Sequence, residues 1–381
     1  MRNFSICVPT LNRPETLQAC LRTLVAQSGD DYEIVVSDNQ GPPENRQIVE
    51  SLNRPDVIRY FRTPDRLPMR SNFEYCLERS EGRYVTILGD DDGFCLGALD
   101  IARQLLSQAS PELMFWFPHL YWWPNALVPH KQWMLYVYAN PNAAKWVDSR
   151  EYVKSFFAEG ASPWLFERLP SIYNAFVSRS VIDRLKVRTG QYFCDEIPDV
   201  YSGIANALTA QNAVLVERPL TIRGLSGKSN GVALRNKNEG AALREAFLKE
   251  VQSPLCEPEL IEANNLSVYI ASVKLRAIRR FAELAHYKVS IPDVVRGILT
   301  ELNEDADRYD DLIAEARALA EKYGLDGSQF SVPARQTTPH AKRVGVTVGE
   351  NGRAVLAVDG EPLDIRDIYQ ASRCVQSLLG A

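Results

Sequence analysis

Tyr84-Val85-Thr86-Ile87-Leu88 runs straight into Gly89-Asp90-Asp91-Asp92-Gly93. Five uncharged residues, three of them β-branched, suit a strand buried on both faces, and such strands belong to mostly parallel sheets covered by helices. Three consecutive carboxylates after that strand repel one another unless a cation or many donors lie close. Their hard oxygens suit Mg²⁺ or Mn²⁺, ions that keep waters and bind through one or two carboxylates plus the phosphates of a substrate. The plainer alternative is a turn whose aspartates cap a helix near Cys95.

Upstream, Phe4 to Val8 reads as a short strand that Pro9 ends. Asn12 is placed to cap a helix with Pro14 in its first turn and Glu15 three after the cap. Leu17, Leu21, Leu24 and Val25 then fall on one helical face. Tyr32 to Ser37 is a second strand, closed by Asp38-Asn39-Gln40-Gly41-Pro42-Pro43. A helix over 44–52, a strand over 57–61 and a helix over 70–79 follow. This alternation predicts an α/β fold with a mostly parallel sheet and helices on both faces, and ligands in such sheets sit beyond the carboxyl ends of the strands. Three polar clusters lie there: Pro9 to Arg13, Ser37 to Gln40, and Asp90 to Asp92.

Downstream, residues 113–235 mix short strands and helices and are rich in aromatics, and 236–330 read as helical, with charged stretches such as Asn303 to Asp311. Residues 331–343 form a polar, Pro-containing linker. Val344 to Asp359 alternates around Glu350-Asn351-Gly352, a hairpin signal, and Ile365 to Leu379 is a closing helix. The expected division is therefore 1–235, 236–330, the linker, and a small hairpin-plus-helix module over 344–381.

The 381 residues carry 43 Lys+Arg against 48 Asp+Glu, a net charge of −5, so the phosphate-neutralising surface of a nucleic-acid coat is not expected. Seven scattered cysteines (Cys7, Cys20, Cys76, Cys95, Cys194, Cys256, Cys374) without a CxxC pair, and four histidines, argue against a disulfide framework or structural zinc. The N-terminus lacks a signal-peptide core, and no run reaches the ~18 apolar residues needed to cross a bilayer. A soluble protein of a reducing compartment is expected, cytoplasmic and possibly in peripheral membrane contact, since Met114 to Trp123 is apolar but broken by Pro118 and His119.

Phe4 to Gln27, with its Pro9-Thr10-Leu11-Asn12-Arg13, then Tyr32 to Asn39, then Gly82 to Phe94 together resemble the family 2 glycosyltransferases of the GT-A fold, over roughly residues 3–230. The resemblance implies an inverting enzyme that takes a sugar from a UDP-sugar, or less readily a dTDP-sugar, with Mg²⁺ or Mn²⁺. Its acceptor would be a hydroxyl of a glycan or lipid-linked sugar, in building a surface polysaccharide or glycolipid. It further implies that Pro9, Thr10 and Asn12 edge the base and that Asp38, beside Asn39, accepts from the base N3–H. Asp90 and Asp91 would then reach the ribose and diphosphate, and Asp92, with Asp90, would hold the metal. Arg70, or alternatively Arg66, would supply a cation to the diphosphate, and Asn72 matches an Asn that opens the next helix in relatives. Asp38-Asn39 is also an ordinary turn pair.

An inverting transfer needs a carboxylate to deprotonate the acceptor hydroxyl. Asp199 is assigned that part, because it directly precedes a helix over 202–208; Asp195 and Glu196 stand in reserve, and helix capping is the plain alternative. Arg223 to Gly231 is a Gly/Ser loop suited to closing over the diphosphate, with Lys228 as its point charge. The histidine that many relatives carry there is absent, and so is the Q-x-x-R-W of polymerising synthases. The aromatic stretch Phe115 to Trp123, with Trp133, Tyr136, Tyr138, Trp146 and Trp164, reads first as core and second as a sugar-stacking surface. The apolar helical positions around Val268 to Phe281 suit packing or a homodimer seam. Rival readings are a non-catalytic nucleotide- or carbohydrate-binding protein on the same fold, and a nucleotidyltransferase, whose Gly-rich phosphate loop is missing.

Overall fold

The computed structural model describes residues 2–139, 141–229, 231, 240–302, 308–335, 341–348 and 354–380. In chain order the first half contains β1 Phe4–Thr10, α1 Pro14–Val25, β2 Tyr32–Asp38, α2 Pro43–Ser51, β3 Ile58–Arg62, α3 Met69–Glu78, β4 Tyr84–Ile87, β5 Gly93–Phe94, α4 Ala98–Gln108, β6 Leu113–Phe115, β7 His119–Trp122, β8 Met134–Tyr138, β9 Ala144–Val147 and α5 Arg150–Phe157. Then come β10 Ala175–Ser178, α6 Arg179–Thr189, α7 Pro198–Thr209, β11 Ala213–Val216, β12 Thr221–Leu225, α8 Ala241–Glu250, α9 Leu266–Arg280, α10 Ile291–Glu301, α11 Tyr309–Lys322, β13 Gly345–Val348, β14 Ala354–Asp359 and α12 Ile368–Leu379.

The larger sheet runs β3-β2-β1-β4-β10-β6-β11-β9. Its first four strands are mutually parallel, and β10 lies antiparallel between β4 and β6. This is an α/β fold whose large sheet is mostly parallel on the β1–β4 side. Every residue of β1, β2 and β4 is buried, which needs apolar cover on both faces. Cys7, Val35, Val85 and Ile87 face a core completed by α5, α6, α7 and α9. Ile6, Val8, Ile34 and Val36 face the other, completed by α1, α4 and α12. Full burial of one such aliphatic side chain contributes roughly 1.5–3 kcal/mol. The smaller sheet runs β13-β14-β8-β7-β12-β5. Because β4 belongs to one sheet and β5 to the other, the intervening Leu88 to Asp92 sits at their junction.

Several elements differ from expectation. β1 continues through Pro9 to Thr10; its pairing with β4 stops at Cys7, so beyond that point β1 pairs with β2 alone, an edge-like place where a missing N–H is tolerated. Asn12 does not cap α1: Arg13 is the N-cap residue, and Asn12 takes a left-handed φ of 52°. Helix α7 begins at Pro198, so Asp199 lies inside its first turn rather than ahead of it. Among the aromatics, Phe115, Trp116, Tyr121, Trp122 and Trp123 are all buried, the core reading, and only Phe117 of that run's rings is half-buried.

Residues α8 to α11 enclose a third core. Helix α9 shares both: Val268 and Tyr269 face that core while Ile270, Val273 and Ala277 enter the core of the large sheet. The segment expected as a small separate module packs onto the N-terminal region, with Ile365, Ile368, Ala371 and Val375 in the core beside α1 and β5. The hairpin turn Glu350-Asn351-Gly352, the stretch 303–307 and the 235/236 boundary lie outside the described residues. No helix among the described residues is long and apolar enough to cross a membrane.

Candidate active site

The parallel register puts Thr10 level with Asp38, and β4 delivers the aspartate triplet beside them. Asp90, Asp91 and Asp92 are only 3, 6 and 9% exposed, so each needs partners. Asp90 accepts from the Thr10 hydroxyl (2.6 Å) and pairs with the Arg13 guanidinium (3.0 Å). Asp91 accepts from the Ser226 hydroxyl (2.7 Å). Asp92 accepts from two backbone N–H groups, Gly224 at 2.7 Å and Gly89 at 3.1 Å. Strand β12 reaches the triplet only because residue 224 is glycine: a Cβ there would lie 1.7 Å from the Asp91 carbonyl oxygen.

Burial, followed by the adjacent Asp91, pushes the Asp92 carboxyl up to about 8. Burial also raises Asp90, against the pull of Arg13. Arg13 belonged to the quoted N-terminal motif, yet its pairing with an acid 77 positions away is visible only in three dimensions. Its second nitrogen donates to the Lys228 carbonyl, and Lys228 Nζ donates to the Asn12 carbonyl at 2.8 Å. The loop after β12 is thus clasped to the loop after β1, with Lys228 close to the triplet but engaged with backbone.

The expected base-reading residues are differently engaged. Asp38 is fully buried, and its oxygens accept from Gly41 N–H (2.8 Å), Asn45 Nδ2 (3.2 Å), the Tyr60 hydroxyl and Arg62 (3.1 Å). A carboxylate offers about four lone-pair sites, so Asp38 has none left for a base N3–H. Burial and this bond to Asp38 push the Tyr60 hydroxyl up to about 12. Asn39 exchanges two hydrogen bonds with the Leu67 backbone (2.7 and 2.8 Å), and Asn72 accepts from the Ser37 hydroxyl at 2.5 Å. These groups build the rim. Arg66 pairs with Glu250 at the end of α8, and Arg70 with Gln252 just after it and, at 3.5 Å, with Glu196, so both arginines are engaged with protein groups.

Of the three acids at the start of α7, two are locked. Asp195 is held by Arg276 through two bonds of 2.6 and 2.9 Å, and Glu196 accepts from the Ser253 hydroxyl at 2.9 Å. Asp199 is half-buried, and among the described residues no side chain donates to its carboxylate. Burial raises its carboxyl above the usual aspartate range, Arg223 pulls it back, and Glu167 adds a smaller upward push. Arg223 precedes Gly224 on β12 and pairs with Glu167 at 3.1 Å. The same guanidinium also pulls Asp92 down. The Tyr173 hydroxyl is raised by burial and then by the charges of Asp199, Asp92 and Asp91, so the phenol lies within the field of both acidic groups. Tyr173, Glu167 and Arg13 were missed from the sequence, and Arg223 appeared only as a loop cation; isolated residues on separate elements leave no spacing signal.

His119 is a core residue: its Nδ1 accepts from the Tyr138 N–H at 3.1 Å, and burial lowers it to about 3. Among the described residues, no group of three or more His, Cys, Asp and Glu side chains closes on an ion. Asp92 nonetheless fits a cation shared with a substrate. No side chain among the described residues donates to it, and its burial beside Asp91 is the charge problem that a divalent ion relieves. An open pocket of about 360 Å³ lined by Arg83, Glu112, Ser178 and Asn212 lies at the other end of the strands, by the start of β4, away from these acids.

Residues 5–98, which carry the first strand, the Asp38 rim and the triplet, match the model of glycosyl transferase family 2. Over these residues the chain is similar to the family 2 glycosyltransferases. An uncharacterized protein of Mycobacterium tuberculosis is 31% identical over 112 residues, 29% of this chain and 35% of that protein. The GalNAc(5)-diNAcBac-PP-undecaprenol beta-1,3-glucosyltransferase of Campylobacter jejuni is 32% identical over 106 residues, 27% of this chain and 34% of that enzyme. The chain thus spans about a third of the length of these curated relatives. Among solved structures, S. aureus TarS 1–349 in complex with UDP-GlcNAc has a TM-score of 0.46 at 15% identity, covering 85% of this chain and 93% of that one. Mannosyltransferase PcManGT from Pyrobaculum calidifontis, in complex with GDP-Man and Mn²⁺, has a TM-score of 0.39 at 14% identity, covering 84% and 81%. Residues beyond 98 complete the sheet that this region begins and both of its cores.

Proposed function

We propose that the protein is an inverting glycosyltransferase that moves a sugar from a nucleotide-sugar, a UDP-sugar first, to a hydroxyl of a glycan or lipid-linked acceptor. The observation that carries this reading is the buried aspartate triplet after β4, with Asp90 bonded to Thr10 of β1 and to Arg13 after it, and Asp92 bonded to the Gly224 N–H of β12, on a chain whose residues 5–98 match glycosyl transferase family 2. Asp92, with Asp90, would hold Mg²⁺ or Mn²⁺, which supplies charge neutralisation at the departing diphosphate. Thr10 and Arg13 hold Asp90 in place, and the Gly224 and Gly89 N–H groups orient Asp92. Lys228 and Arg13 offer cations on the clasped loops, in reach of a diphosphate once their backbone bonds are exchanged for phosphate oxygens.

Asp199 takes the proton of the acceptor hydroxyl as that oxygen bonds to the anomeric carbon and the carbon–phosphate-oxygen bond breaks on the opposite face. Arg223 favours the ionised form that this role needs. With Asp38 saturated, preference for uracil or thymine rests on the loop backbone around Pro9 and on Asn12, not on that carboxylate.

The test is nucleotide release from a panel of UDP-, dTDP- and GDP-sugars, with Mn²⁺ and with EDTA, for wild type, Asp92→Ala and Asp199→Asn. Metal-dependent release that is lost in Asp92→Ala and slowed in Asp199→Asn supports the transferase and identifies its donor. Nucleotide binding without turnover of any donor supports the non-catalytic reading instead, and no binding at all removes the site assignment.

A further inference from the structure

The acids of the triplet are unequally filled. Both oxygens of Asp90 are taken, Oδ1 by Arg13 Nη1 at 3.0 Å and Oδ2 by the Thr10 hydroxyl at 2.6 Å. Asp92 meets two backbone N–H groups and no side-chain donor among the described residues. Among those residues Arg13 is the one cation in an ion pair with the triplet, and the side chains of Arg13 and Asp90 are 16 and 4% exposed. The charges of Asp91 and Asp92 act on the same guanidinium. Its other terminal nitrogen donates to the Lys228 carbonyl, so one side chain holds an acid of the triplet and the loop after β12 together. A guanidinium and a divalent cation on one carboxylate repel each other across a few ångströms, and little water screens them at this burial. A cation shared by Asp92 and Asp90 therefore requires Arg13 to leave Asp90. The acceptors that suit a released guanidinium are paired anionic oxygens, which a diphosphate presents.

We propose that Arg13 makes divalent-cation binding depend on the donor: in the free chain its guanidinium fills Asp90 and keeps the cation loosely held, and when a nucleotide diphosphate arrives it moves to the phosphate oxygens and leaves Asp90 to the cation. This rests on the reading of Asp92 and Asp90 as the metal acids. Arg13 is then a positioning residue, because it acts by setting the state of Asp90. The same movement frees the loop after β12, since Arg13 gives up the Lys228 carbonyl when both terminal nitrogens turn to phosphate. The two affinities are linked, so whatever factor the nucleotide adds to cation binding, the cation adds to nucleotide binding. A chain without the Arg13 to Asp90 pair holds the cation tightly whether nucleotide is present or not.

The experiment is Mn²⁺ titration of the full chain, with free ion counted by electron paramagnetic resonance, with and without UDP, and with the Mn²⁺ bound by UDP alone subtracted. Arg13→Gln tightens Mn²⁺ binding without UDP by about tenfold, because a like charge is removed and a carboxylate oxygen is freed. UDP then adds less to Mn²⁺ affinity than it adds in wild type. Arg13→Lys, which keeps the charge on Asp90 but loses the fork to the Lys228 carbonyl, stays within about twofold of wild type. Independently of any change at Arg13, Asp90→Asn weakens Mn²⁺ binding about tenfold with UDP and no more than about threefold without it. Thermal midpoints establish that each variant is folded. An Arg13→Gln chain that binds Mn²⁺ no more tightly than wild type overturns the proposal, and so do equal losses in Asp90→Asn with and without UDP. If wild type with UDP binds no Mn²⁺ beyond that held by UDP alone, or Asp92→Ala binds it as well as wild type, the metal reading of the triplet falls, not the coupling alone.

Discussion

Asp199 and Asp92 show how environment divides chemistry between identical side chains. Asp92 is enclosed by backbone donors beside another acid, whereas Asp199 sits at a helix start facing Arg223. In the proposed reaction the base must be ionised, so release of nucleotide is expected to rise with pH through the Asp199 pKa. Burial holds that pKa above the ordinary value of about 3.9. The acid limb of the pH–rate profile should therefore lie above that value, and Arg223→Gln should move it further up, since the cation that favours the carboxylate is gone. An unmoved limb in Arg223→Gln would remove Asp199 from the base role. Asp199→Asn should slow turnover by about 10²–10⁴-fold while calorimetry shows nucleotide affinity unchanged.

At the scale of elements, the rim and the triplet depend on contacts between strands that sequence separates widely. Gly224→Ala forces a methyl against the Asp91 carbonyl, so β12 must withdraw and Asp92 loses its 2.7 Å donor. We expect activity and thermal midpoint to fall together. Asp38→Ala leaves the Gly41 N–H and the Asn45, Tyr60 and Arg62 donors without their acceptor. The cost is about 3 kcal/mol in urea unfolding. If Asp38 instead only contacted the base, the variant would bind nucleotide poorly at wild-type stability.

Across the whole molecule, the last helix helps make the first core. Ile368 is fully buried beside α1, the Tyr121 hydroxyl bonds the Ile365 carbonyl at 2.5 Å, and the Ser372 hydroxyl bonds the Phe94 carbonyl at 2.8 Å. Ile368→Ala should cost about 2–5 kcal/mol and lower the stability of the N-terminal region, read as hydrogen exchange in β1 and β4. An Ile368→Ala protein whose β1 and β4 amides keep wild-type protection would mean that α12 folds as a separate unit. Helix α9, bridging two cores, ties the helical region to the same sheet.

The alternation of buried strands and amphipathic helices was legible because burial on two faces leaves uninterrupted apolar runs such as Tyr84 to Leu88, and helical periodicity marks what covers them. The triplet was legible because like charges packed in a row demand an explanation. What the three dimensions alone decided was partnership. Whether Asp38 faces a ligand or four internal donors, which of Asp195, Glu196 and Asp199 remains unlocked, and that Arg13 joins Asp90 depend on groups from a few to tens of residues apart in the chain. A side chain's chemistry is local, but its pKa and its free lone pairs are set by whatever the folded chain brings within a few ångströms, and pair spacing in sequence carries no record of that.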